Sequence, residues 1–158
     1  YPTSYIPTYG SSVTRSVDQM TLATLNNSDS YTILIDLKKA QDGGGSVTFI
    51  DKAVGGAQLG RILMKSGALL GYYDNANGYL DNDLNVVDGN QHKYILRVTN
   101  NFIEEFGDGS KQPNSITNTL DAFDRFIIYV QNNYYEFNQI VVFPTALTDS
   151  ECIALTTL

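Results

Sequence analysis

The 158-residue chain is predicted to be an all-β domain built as a sandwich of two antiparallel sheets. Three observations predict this. Aromatic and β-branched residues run through the whole length beside 13 glycines, while charged residues are sparse, a mixture suited to strands joined by tight turns. Short runs of alternating apolar and polar residues recur at fairly regular spacing, separated by Gly or Asn turns. No helical crossover interrupts them, so neighbouring strands are expected to pair antiparallel in two packed layers. The length suits one core and leaves no room for a second domain of ordinary size.

The elements follow in order. In YTILIDLK, Tyr31, Ile33, Ile35 and Leu37 alternate with Thr32, Asp36 and Lys38, and only Leu34 breaks the polar face, as in a half-buried strand. DGGGS at 42–46 is a turn, and SVTFID places Val47 and Phe49 on one face before Gly55 and Gly56. GRILMKSGALLGYYDN reads as two strands around Ser66 and Gly67, leading into an Asp- and Asn-rich loop from Asp74 to Asn85. HKYILRV sets Tyr94, Leu96 and Val98 on one face, and NFIEEFGDGS forms a hairpin with it that ends at a Gly107-Asp108-Gly109 turn. RFIIYVQ and YEFNQIVVF are two strands split by Asn132 and Asn133, and their continuous apolar content predicts central positions. Thr148 and Glu151 have capping-box spacing at the start of one short helix, with Cys152 and Leu155 on one face.

A net charge of -7 with scattered Lys and Arg gives no attraction to nucleic acid or to anionic lipid. No apolar run is long enough to insert into a membrane, and YPTSYIPTYG lacks the regions of a signal peptide. One cysteine and one histidine rule out an internal disulfide and a structural zinc site. The Pro- and Ser-rich start at Tyr1 reads as a domain junction, so the chain is expected to be a piece of a larger protein.

Both ends carry a resemblance. TSYIPTYGSSVTRSVD, from Thr3 to Asp18, resembles the lead-in of laminin G-like domains in phage tail fibre and related virion proteins. FNQIVVFPTALTDSECIALT is similar to the close of the same family, and DGNQHKYILRVTNNFIEEFGDGS to its "H-K" strand and following hairpin. Over nearly its whole length the chain thus resembles the concanavalin A-like, laminin G-like lectin domains. The resemblance implies an all-β antiparallel jelly-roll sandwich with one short C-terminal helix. Residues 1–18 would be an extended lead-in packing on the sandwich, and 19–158 the single domain. It also implies a module of a tail fibre or other surface protein, extracellular or on a virion. Its partners would be a polysaccharide or cell-surface glycan and neighbouring domains of the same polypeptide; a homo-oligomer stays open.

Sugar recognition needs an aromatic face for the pyranose, with amides and carboxylates that take hydroxyls in pairs. Tyr73, Asp74, Asn75, Asn77, Tyr79 and Asp83 supply both and are the primary candidates, with Asn132, Asn133, Tyr134 and Tyr135 as a second group. The structural alternative is that Asp and Asn merely form turns and the tyrosines cap a sheet edge. Tryptophan is absent, and 11 tyrosines partly substitute. No cofactor is required. Asp74, Asn77, Asp81 and Asp83 are candidates for a structural calcium ion, although Ala76 and Gly78 break the D-x-[DN]-x-[DN]-G template.

Glycoside hydrolases and polysaccharide lyases share the jelly roll, and a hydrolase needs two converging carboxyls. The adjacent Glu104 and Glu105 should point to opposite strand faces, and an E-x-D-x-x-E pattern is absent. Glu104 shares its face with Phe102 and Phe106, an apolar margin that can raise a carboxyl pKa, although a strand-end carboxylate beside Gly107 is the simpler reading. His92 opens a strand without a nucleophile motif and reads as structural, Cys152 as a core residue. A lyase would need a base and cations facing a uronate, and no Arg or Lys cluster is visible. The sequence therefore predicts a glycan-binding module that is not an enzyme. The first alternative is a purely structural or assembly domain, the second a hydrolase or lyase.

Overall fold

The computed structural model describes residues 19–20, 30–41, 47–54, 57–65, 69–74, 78–85, 88–99, 102–117, 126–127 and 134–158. Among them are eleven strands and one helix: β1 (Gln19–Met20), β2 (Tyr31–Gln41), β3 (Val47–Val54), β4 (Ala57–Lys65), β5 (Leu69–Asp74), β6 (Gly78–Asn85), β7 (Gln91–Val98), β8 (Phe102–Gly107), β9 (Ser110–Thr117), β10 (Phe126–Ile127), β11 (Tyr134–Phe143) and α1 (Asp149–Thr156). The strands form a five-stranded sheet β11-β2-β7-β8-β9, a four-stranded sheet β3-β4-β5-β6 and the small pair β1-β10, all antiparallel. This is the predicted all-β architecture with its single short helix.

Strand alternation builds the five-stranded sheet as expected on one face. Tyr31, Ile33, Ile35 and Leu37 are register partners of Val98, Leu96, Tyr94 and His92, and all eight are buried. The other face of β2 departs from the half-buried expectation, because Thr32, Leu34 and Asp36 are buried as well. Helix α1 provides the reason: Leu34, Ile95, Phe106 and Cys152 form one cluster, with Leu147, Ile153 and Leu155 packed against it. Thr32 completes that cover, its hydroxyl donating to the Thr145 carbonyl (3.1 Å) and accepting from Leu147 N–H (3.0 Å). Leu34, which looked like an exception in a polar face, is a contact of the helix.

The helix starts where the capping box predicts. Thr148 Oγ1 accepts from Glu151 N–H, and the Glu151 carboxylate accepts from Thr148 N–H at 2.8 Å. β11 is not central as predicted; it is an edge strand, paired on one side with β2. Its apolar run satisfies two half-covered faces, with Val141 and Phe143 turned to the helix-side cluster. The Gly107-Asp108-Gly109 turn is as expected, with Asp108 and Gly109 at positive φ (46° and 78°). Asp74 to Asn85 is not one loop but the end of β5 and the whole of β6. The lead-in 1–18, the 42–46 turn and the Asn132-Asn133 turn lie outside the described residues.

Candidate functional site

Pairing in the four-stranded sheet sorts the predicted glycan residues. Ile50, Ile62, Tyr72 and Leu80 are successive register partners from β3 to β6, and Leu80 is buried. The adjacent row is Asp51, Arg61, Tyr73 and Tyr79. Neighbouring residues on a strand alternate faces, so this second row lies on the face opposite Leu80. Tyr73 and Tyr79 are therefore direct cross-strand partners, with a basic residue next in line. Arg61 escaped sequence reasoning, since only the register of β4 against β5 brings it beside Tyr73.

Between Leu80 and Leu84, β6 carries two residues more than the matching stretch of β5, where Tyr72 follows Leu70 by two. Asp81, Asn82 and Asp83 make up this bulged stretch on an edge strand. Asp74 closes β5 opposite Gly78. Tyr73, Asp74, Tyr79 and Asp83 thus all belong to the strands of this hairpin, while Asn75 and Asn77 lie outside the described residues. Tyr134 and Tyr135 are not joined to this group: they start β11 in the other sheet, opposite Gln41 and Lys39, and Asn132 and Asn133 are outside the described residues. Of the calcium candidates, Asp74 ends β5, Asp81 and Asp83 belong to β6, and Asn77 lies outside the described residues. Among the described residues no group of His, Cys, Asp and Glu has metal-site geometry.

His92 is committed at both nitrogens. Nδ1 lies 2.7 Å from Asp108 Oδ2 and Nε2 lies 2.9 Å from Asp88 Oδ1. Burial acts to lower its pKa, but the hydrogen bonds to Asp108 and Asp88 outweigh it and the pKa is raised. Asp88 is held well below the usual carboxylate range by the bonds from His92 and Asn90. Each ring nitrogen thus faces a carboxylate oxygen, in keeping with a structural role.

Glu104 and Glu105 do face opposite sides. Glu105 is wholly buried and accepts from the Tyr94 hydroxyl. Glu104 lies on the helix side, where Arg97 Nε donates to Oε2 (3.0 Å) and Lys111 Nζ to Oε1 (2.8 Å). Arg97 also reaches Asp149 Oδ1 (2.6 Å) and the Leu147 carbonyl (2.9 Å), and Lys111 reaches Asp149 Oδ2 (3.0 Å). Both cations lie over the Phe106 ring. The apolar margin beside Glu104 does not raise its pKa: burial pushes that way, but the bonds from Lys111 and Arg97 prevail and lower it. Glu104 is thus a clamp for the start of α1.

Comparison with known proteins gives no match to a family profile and none to a curated protein sequence. Solved structures do match. An alginate lyase from polysaccharide lyase family 7 is similar over 77% of this chain and 62% of its own, at 14% identity and a TM-score of 0.54. A Trypanosoma rangeli sialidase in complex with sialic acid is similar over 81% of this chain but 22% of its own, at 10% identity and a TM-score of 0.60. The binding domain of Paraclostridial Mosquitocidal Protein 1 is similar over 84% of this chain and 38% of the other, at 15% identity and a TM-score of 0.63. The chain therefore spans under two thirds of the length of each. At such identity the matches bear on the fold, and they bear out the jelly roll; the tail-fibre origin and virion setting gain no support from them. The expectation that the chain is not an enzyme is corrected here, because its fold is shared with an alginate lyase and with part of a sialidase. What the chain shares with these proteins is the concanavalin A-like jelly-roll sandwich.

Proposed function

We propose that this is a carbohydrate-active domain of the polysaccharide lyase or glycoside hydrolase class, working on a polysaccharide held at the β5–β6 hairpin. The observation that carries the reading is the row Arg61, Tyr73, Tyr79 beside the Asp81–Asp83 bulge. Two tyrosines supply faces for sugar rings and hydroxyls for proton transfer, and the aspartates supply acceptors for sugar hydroxyls. Arg61 supplies the cation that the sequence alone did not place near them, and a guanidinium takes a carboxylate in a bidentate pair. The similarity to alginate lyases over roughly three quarters of this chain supports the same class.

The test is turnover of a panel of neutral and acidic polysaccharides, following new reducing ends and the ultraviolet absorbance of unsaturated products. Either signal, lost in Tyr73→Phe or Tyr79→Phe with the fold retained, is the expected result. A folded domain that cleaves no member of the panel overturns the reading.

A further inference from the structure

The chain contains a single histidine, and it sits where the two sheets are joined. β6 belongs to the four-stranded sheet and β7 to the five-stranded one, so the segment ahead of β7 carries the chain across the sandwich. Asp88 lies in that crossover, Gly89 after it has φ 78°, and Asn90 donates from both its backbone and its side chain to the Asp88 carboxylate at 2.8 Å. From the opposite side comes the β8–β9 turn, where Asp108 accepts from Lys93 N–H (3.0 Å) and donates its own N–H to the Lys93 carbonyl (3.1 Å). Gly109 of that turn donates to Thr156 Oγ1 (3.2 Å), and Lys93 Nζ donates to the Thr157 carbonyl (2.8 Å), so the end of α1 belongs to the same joint.

His92 bridges the crossover and the turn, and the geometry favours its protonated form. A neutral imidazole has one N–H, so one of the two carboxylates would face a nitrogen lone pair at hydrogen-bond distance; only the imidazolium donates to both. We propose that Asp88, His92 and Asp108 form a pH-sensitive latch, closed by the imidazolium and opened by its deprotonation, which frees the β6–β7 crossover from the β8–β9 turn. The inference is independent of the glycan reading.

The groups around the ring are consistent with one titrating centre. Besides Asp88 and Asp108, the register partner from β2 is the apolar Leu37, while Asp36 and Lys38 lie on the other face of that strand. On the ring's own face the next ionisable groups among the described residues are Tyr94 and Glu105, which are bonded to each other. The raised pKa of His92 sets the direction. Its stabilising contribution is full below the unfolded value of about 6.5 and is lost as pH rises through the folded value, above which nothing more is lost.

The test is an NMR titration of the intact chain with amide hydrogen exchange at 88–93 and 108–109. A single imidazole resonance should titrate with a midpoint above about 6.5, and protection should fall by up to about tenfold per pH unit across that interval, beyond the intrinsic base-catalysed rise. Asp88→Asn, at an exposed position, should lower the midpoint with the fold intact, and His92→Gln should abolish the pH-dependent step in protection. A midpoint at or below the ordinary histidine value, or protection at these amides that ignores the titration, would overturn the latch.

Discussion

The Tyr94 hydroxyl donates to the Glu105 carboxylate inside the sandwich, a bond between two strands whose side chains are almost wholly shielded from water. Removing a donor from a buried carboxylate costs about 1–3 kcal/mol. Tyr94→Phe should therefore lower stability by about that amount in urea unfolding. Combined with Glu105→Gln, the two losses should be non-additive by about 0.5–3 kcal/mol, as for groups in contact.

Arg97 and Lys111 share partners but differ in shielding. Arg97 is buried while Lys111 is exposed, so water screens the lysine's bonds more strongly. Arg97→Ala should destabilise by about 1.5–3 kcal/mol, since it removes the shielded one of Glu104's two cationic partners. Lys111→Ala should cost below about 1 kcal/mol and lose its effect in high salt. Paired urea melts at low and high ionic strength separate these outcomes.

Acid should weaken the fold through the same clamp. Glu104 and Asp149 both have lowered pKa values: at Glu104 burial is outweighed by Lys111 and Arg97, and at Asp149 the bonds from Lys111 and Arg97 do the lowering. A lowered folded pKa gives stability that is complete above the unfolded value of about 4 and lost as pH falls through the folded one. Unfolding midpoints followed from about pH 7 to about pH 2 should decline in that acid range, and Arg97→Ala should flatten the decline.

Cys152 offers a readout of helix docking. It is fully buried, and burial pushes the thiol pKa up, so a thiol reagent should label it only when α1 lifts from the sheet. Thr148→Ala removes the cap and should cost about 1 kcal/mol, with about fivefold faster labelling if docking and helix formation are one event. Labelling unchanged in this variant would separate the two.

These energetics rest on features of unequal legibility. The inward faces of β2 and β7 were written in local alternation, and the cap in the Thr148 to Glu151 spacing, because both are set by near neighbours. Burial of Leu34 and Arg97 was not, since it depends on a helix more than fifty residues further along the chain from Arg97. The apolar run of β11 suggested a central strand, but a run covered on each face from one side reads identically. For the candidate site, sequence picked out Tyr73, and Asp74, Tyr79 and Asp83 as parts of a loop after it. The strand register is what aligned two of them and added Arg61.

The pairing of β2 between β7 and β11 also constrains the order of events during synthesis. Thr32 meets Phe143, so one margin of β2 stays open until the distant strand has left the ribosome. Until then that margin exposes unpaired amides and carbonyls beside an aliphatic face, a template for strands of other molecules. Closure across so long a loop is also slow. The nascent chain is thus most vulnerable to intermolecular pairing in the interval before β11 arrives, and a chaperone that shields β2 would act at that moment.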